Sequence, residues 1–197
     1  NITTEYSCLG FILLGHWLEE NFKKIINELV EEKIIKPLNL KNEIFFPFKS
    51  QVNKLRVAGT EFGNKIERKM TNSKIKKRPS PIWGEVHDGN AHFLGGFAGN
   101  AGLFGTIEGV FQLAKNCWVN SFEGKEGEYF LGFKIGGDST VFPKGTLGHT
   151  GFTGTSLCLH LQKKTISILL TNRLHCKRPK DINIYRKKFH QYIENLV

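Results

Sequence analysis

The sequence predicts an α+β fold, an antiparallel sheet backed by a C-terminal helix and joined to a smaller helical region. Three observations lead there. Early in the chain, Ile25, Ile26, Leu29, Val30 and Ile34 recur at helical spacing. Between residues 129 and 171, short β-prone runs are separated by Gly or Lys-Lys turns, and Leu157, Leu159 and Leu161 alternate with Cys158, His160 and Gln162. The chain closes on residues 182–197, where Ile182, Tyr185, Phe189, Tyr192, Ile193 and Leu196 form an apolar helical stripe. Helices, then a meander, then a terminal helix is an α+β order.

Taken in turn, residues 9–18, LGFILLGHWL, are expected to form a mostly buried helix. A second helix is expected over residues 22–35, closed by Pro37, which cannot continue it. Residues 42–81 read as a long polar, basic connection holding Pro47, Pro79 and Pro81 and only short strand-like pieces. Residues 84–105 carry Gly84, Gly89, Gly95, Gly96, Gly99, Gly102 and Gly105, a density that predicts tight turns and close backbone approach. Thr106 is placed to cap a helix over residues 107–118, with Glu108 in its first turn. Strands are expected at 129–135, 146–153, 156–162 and 165–171, the third burying only its leucine face.

A chain of 197 residues fits one domain and can bury roughly 70% of its unfolded surface. Its hydrophobic content of 40% and charged content of 23% argue against disorder and fibrous classes. The formal charge of +10 is concentrated in residues 65–78, KIERKMTNSKIKKR, and 175–180, HCKRPK. Such runs attract anionic polymers or membranes, or are solvated loops. The second reading is favoured, because aromatic interleaving and recognition-helix spacing, the marks of nucleic-acid binding, are missing from both. Cys8, Cys117, Cys158 and Cys176 show no metal-finger spacing and are expected to be free thiols. No segment approaches the roughly 18 consecutive apolar residues of a spanning helix. His87, Asp88 and Asn90 could suggest a metal or acid/base cluster, but the pattern is more economically a hydrogen-bonded loop brace. Cofactors are expected to be none.

Three blocks in order, Tyr6-Ser7-Cys8, the Gly-rich GEVHDGNAHFLGGFAGNAGLFGT and LGHTGFTGTSL, resemble the serine β-lactamase and penicillin-binding-protein-like hydrolases, in particular their esterase and carboxypeptidase-like branch. The resemblance implies that Tyr6-Ser7-Cys8 is the second motif of that family and His149-Thr150-Gly151 the third. Its first motif, Ser-x-x-Lys, lies upstream of the tyrosine, and only residues 1–5 precede Tyr6 here. The expectation is therefore a single partial domain over 1–197, truncated at its N-terminus, with a helical and loop region to about residue 120 and a sheet region from about 125. Such a piece would leave an apolar face exposed and a strand edge unpaired. The Ser73-Lys74-Ile75-Lys76 match follows the tyrosine and sits in a basic loop, so it reads as chance.

The family's chemistry implies a role for each residue. Tyr6 would transfer protons; a phenol ionises near pH ~10, so it needs positive charge beside it to act at neutral pH. Cys8 stands where the family carries Asn or Asp, and a thiol hydrogen-bonds weakly; at the start of a helix it is also a candidate nucleophile. His149, Thr150 and Gly151 would bind the acyl substrate, and the N–H of Phe152 would form half of an oxyanion hole. Gly89 and Asn100 depart from the Glu and His usual in the family. The implied partners are a small-molecule or peptide acyl substrate and an anionic cell-wall polymer, in a periplasmic or extracytoplasmic setting. Loss of a serine nucleophile removes about 10⁶ in kcat, so these residues alone are expected to be nearly inert. The competing expectation is a non-catalytic scaffold of the same fold that holds peptides.

Overall fold

The computed structural model describes residues 6–47, 56–72, 74–119 and 129–197. Helices and antiparallel sheets make up an α+β fold, as expected. The chain divides into two compact units, one of Glu5–Gly109 with Leu174–Lys177, the other of Val110–Arg173 with Arg178–Val197.

In the first unit, helix α1 spans Cys8–Phe22 and stops where Lys23 takes a left-handed conformation. The expected second helix therefore starts later: α2 runs Ile26–Val30 and widens into a π-helical turn over Glu31–Ile35. The burial expected of α1 is overturned. Only Gly15 is buried, while Leu9, Leu13, Leu14 and Trp17 are exposed. Gly15 is buried because the Gly-rich block lies on it: a Cβ on Gly99 would stand 2.0 Å from the Phe11 carbonyl oxygen. The exposed apolar face anticipated from the sequence is thus present, on α1.

Strands β1 (Ile44–Phe45) and β2 (Phe104–Gly105) pair antiparallel. Between them lie α3 (Lys65–Met70), a helix not anticipated in the basic run, and α4 (Gly89–Phe93) within the glycine-rich block. Helix α5 (Ile107–Val119) starts at Thr106 as expected, whose Oγ1 accepts from the Gly109 N–H at 3.1 Å.

The second unit is a five-stranded meander in the order β3 (Tyr129–Phe130), β4 (Phe133–Ile135), β5 (Leu147–Thr150), β6 (Ser156–His160) and β7 (Thr165–Leu169). The single strand expected over 129–135 is a hairpin, because Leu131 and Gly132 both adopt positive φ (48° and 84°), the geometry of a tight two-residue turn. One face of the sheet is apolar: Leu147 and Leu159 pack with Ala114 of α5, flanked by Leu157, Leu161 and Ile166.

The opposite face departs from the sequence reading. Ser156, Cys158 and His160 are buried as well, so β6 is covered on both sides. Helix α6 (Asn183–Leu196) covers them, and only in part with the stripe expected, of which Ile182, Phe189 and Ile193 are half-buried. Tyr185, Tyr192 and Leu196 are exposed, whereas Arg186 and His190 are buried and Glu194 is partly so. Residues 186, 190 and 194 are each four apart, a single helical face. The polar groups of β6 and β7 require polar partners, and that requirement sets the rotation of α6.

Candidate functional site

Tyr6 and Cys8 stand at the entry of α1. The Cys8 thiol lies 3.9 Å from the Tyr6 hydroxyl, and the Tyr6 ring sits 5.8 Å from that of Phe11, tilted by 41°. Cys8 is exposed, and no side chain caps the helix ahead of it.

His149 and Thr150 end β5, opposite Leu157 and Ser156. His149 is half-buried, and burial lowers its pKa from the ordinary 6.5. A neutral imidazole is favoured there, and a hydrogen bond to the Thr150 backbone works against the shift. Gly148 precedes it because the Phe142 ring lies against the strand there: a Cβ would meet Phe142 Cδ1 at 2.5 Å.

After Thr150 the chain turns sharply, with the Gly151 N–H donating to the Thr155 carbonyl at 2.8 Å. Gly151 has no room for a side chain, since a Cβ would stand 2.2 Å from Thr155 Oγ1. Two arginines hold this turn. Arg186 of α6 donates through Nη2 to the carbonyls of Gly151 (2.6 Å) and Thr155 (2.8 Å). Arg173 donates through Nε to the Phe152 carbonyl at 2.9 Å and places its guanidinium 4.8 Å from the Phe152 ring centroid. Two guanidinium groups drawn to three carbonyls of one turn fix its backbone. Burial, with Arg173 nearby, lowers the Arg186 pKa, yet a guanidinium stays charged at any ordinary pH.

Beneath the turn runs a buried hydrogen-bonded chain. The Ser156 hydroxyl is 2.8 Å from His190 Nε2, and His190 Nδ1 is 2.7 Å from Ser167 Oγ. Ser167 Oγ is in turn 2.7 Å from His160 Nε2, whose Nδ1 meets Glu194 Oε2 at 2.5 Å. Cys158, His160 and His190 bring metal-ligand atoms within 4.8 Å of one another. Every nitrogen of the two imidazoles, however, already lies at hydrogen-bond distance from a hydroxyl or carboxylate. Cys158 is a neutral thiol, its pKa pushed up to about 12 by burial.

In the first unit, His87 and Asp88 take up the brace role. His87 Nε2 and Glu61 Oε2 lie 2.9 Å apart, and Glu61 Oε1 accepts from the Ile66 N–H at 2.7 Å. Asp88 caps α4 by accepting from Ala91 N–H at 2.9 Å and also accepts from Asn100 at 3.3 Å. Asn90 is exposed. Arg78, which the sequence placed in a solvated loop, is buried: its guanidinium donates to the carbonyls of His87 (2.7 Å) and Val86 (2.6 Å) and faces Glu85 at 3.2 Å. His175, from the second basic run, lies with Nδ1 2.9 Å from the Thr60 carbonyl oxygen. Cys158 and Cys176 are free thiols like Cys8. Ser73 and the side chain of Cys117 lie outside the described residues.

Tyr6 and Cys8 thus belong to one unit and His149, Thr150, Gly151 and Phe152 to the other. Sequence reasoning missed Arg173, Arg186 and the Ser156–His190–Ser167–His160–Glu194 chain. The signal available for part of it was the four-residue spacing of Arg186, His190 and Glu194.

No protein-family model matches this chain. It is similar to a protein of Escherichia coli (strain K12) named "Putative D-alanyl-D-alanine carboxypeptidase", 32% identical across 86% of this chain and 45% of that protein. Proteins of the same name from Salmonella typhi and Salmonella agona (strain SL483) are 29% and 28% identical over the same shares. The likeness is to part of each relative. The chain spans about 45% of their length. No helix among the described residues is long and apolar enough to cross a membrane.

Proposed function

We propose that these residues form part of a serine acyl hydrolase that, in its complete form, opens an ester, amide or peptide carbonyl through an acyl-enzyme, with D-alanyl peptides as the substrate class. The observation that carries this reading is the similarity to carboxypeptidase-named proteins over 86% of the chain, together with a β5 strand ending in His149-Thr150-Gly151. In this scheme His149 donates its N–H and Thr150 its hydroxyl to the acyl substrate. The Phe152 N–H supplies half of the oxyanion hole, at a turn whose carbonyls are drawn back by Arg173 and Arg186. Tyr6 moves a proton between the nucleophile and the leaving group. The nucleophilic serine and its lysine would come from polypeptide outside these 197 residues.

The exposed thiol of Cys8, in place of an amide or carboxylate, favours a second reading, a peptide-holding scaffold of the same fold. One experiment separates them. The full-length gene product is incubated with a fluorescent penicillin or a fluorophosphonate and run on a denaturing gel. Covalent labelling that falls at least about tenfold in Tyr6→Phe and in His149→Ala is the expected result. Reversible binding without an adduct overturns the hydrolase and leaves the scaffold.

A further inference from the structure

Helix α6 meets β6 and β7 through a polar face with an unusual property: its protons can be arranged in only one way while both imidazoles are neutral. An ionised Glu194 accepts only, so His160 carries its proton on Nδ1 and its Nε2 is an acceptor. Ser167 must then donate its hydroxyl hydrogen to His160 Nε2 and accept from His190 Nδ1. That leaves His190 Nε2 as the acceptor for the Ser156 hydroxyl. Four hydrogen bonds thus run in one direction, from β6 to α6, on to β7, back to β6 and again to α6, all beside strand residues that are buried.

A proton taken up by this chain destroys the arrangement. With His190 protonated, both ring nitrogens donate, and the Ser156 hydroxyl hydrogen loses its acceptor. The surroundings do not favour the added charge. His190 is fully buried and faces Ser156, Cys158 and His160 of β6, Ser167 of β7 and the ring of Phe142 at 5.3 Å. On its own helix Arg186 precedes it by one turn and Glu194 follows by one turn, and Glu194 is already shared with His160 and Lys163. Cys158 is neutral. Burial first, then His160 and Arg186, push His190 down to about 4.

We propose that α6 is an acid-sensitive clamp on the turn that follows His149 and Thr150, holding it through Arg186 at neutral pH and releasing it when the buried His190 takes up a proton. The consequence for function rests on the acyl-hydrolase reading of that turn; the clamp itself does not. Release of α6 withdraws Arg186 from the carbonyls of Gly151 and Thr155, so the backbone offered to an acyl group loses its fixed geometry. The clamp makes the site a neutral-pH site through a helix that contributes no catalytic group.

Amide hydrogen exchange of the 197-residue chain, read by mass spectrometry at pH ~7 and ~4.5 with intrinsic rates corrected, tests the clamp. In the wild type, peptides covering residues 147–157 and 183–197 should lose protection together by about tenfold or more on acidification, while peptides of α5 keep theirs. His190→Gln retains a neutral donor and acceptor but cannot titrate, and should remove the difference. In Arg186→Met, residues 151–155 should already exchange fast at pH ~7 with α6 still protected. Should His190→Gln fail to fold, ¹⁵N spectra of the wild-type imidazoles decide. A His190 held as the Nδ1–H tautomer, whose protonation coincides with exposure of 183–197, supports the clamp. Unchanged protection at pH ~4.5, or identical acid behaviour in His190→Gln, overturns it. None of these readouts requires a substrate, so the clamp can stand where acyl labelling fails and fall where labelling succeeds.

Discussion

Replacing Gly148 by alanine should weaken the second unit, against the usual expectation for a strand glycine. Alanine in a strand ordinarily gains about 0.5–1 kcal/mol over glycine, because glycine loses more backbone freedom on folding. Here the added Cβ would lie 2.5 Å from both Cδ1 and Cε1 of Phe142 and 2.6 Å from Cγ. Carbon atoms pack at about 3.5–4.0 Å, so the ring must withdraw by roughly 1 Å. Phe142 is only 4% exposed and its ring lies 5.3 Å from that of His190, so the withdrawal presses on the buried polar chain. Overpacking of this kind costs about 1–3 kcal/mol, which leaves a net loss on the order of 1–2 kcal/mol. For a chain of this size that lowers Tm by roughly 2–8 °C. Urea unfolding followed by far-ultraviolet circular dichroism measures it, and adding Phe142→Leu to the alanine variant should recover part of the loss, a coupling that a double-mutant cycle isolates. A Gly148→Ala midpoint equal to or above the wild type would refute the packing argument.

The other expectations concern buried charges and thiols. Arg78→Met strands the carbonyls of Val86 and His87 and leaves Glu85 without its guanidinium; a loss of about 3 kcal/mol should appear as a lower urea midpoint. Alkylation at pH ~8 with peptide mapping should modify Cys8 and Cys176, both exposed, and spare Cys158, which is buried with its pKa raised to about 12. His190 titrates at about 4 in the folded chain against an ordinary 6.5, so the unfolded chain binds the extra proton. Its contribution is complete above pH ~6.5 and is lost as the pH falls towards ~4, a change of about 3 kcal/mol that His190→Gln should abolish in urea titrations across that range.

Much of the local structure was legible in the sequence because it rests on local rules. The Thr106 cap, the turn-rich glycine block and the strand pattern around Leu157, Leu159 and Leu161 depend on residues close in the chain. The strand ends were less legible. The hairpin at Leu131-Gly132 required a non-glycine residue at positive φ, which composition does not announce. The His149-Thr150-Gly151 segment stood out through its resemblance to the third motif of the β-lactamase-like hydrolases, and only the structure shows the steric demand met by the glycines around it, Phe142 against Gly148 and Thr155 against Gly151.

What the sequence by itself determined was the class of fold, the order of its elements and the segments offered for chemistry, since periodicity, caps and turns are short-range properties. Only the tertiary structure decided which face of α6 is buried. Its apolar stripe read as the core side and half of it is partly buried, yet Arg186, His190 and Glu194 also point inward, because the hydroxyls and imidazole of β6 and β7 and the carbonyls of the turn before β6 would be left unpaired by apolar side chains. The same holds for Arg78, solvated by its sequence context and buried by the carbonyls it meets. A polar group far away in the chain can reverse a hydrophobic pattern, and no local window contains that group.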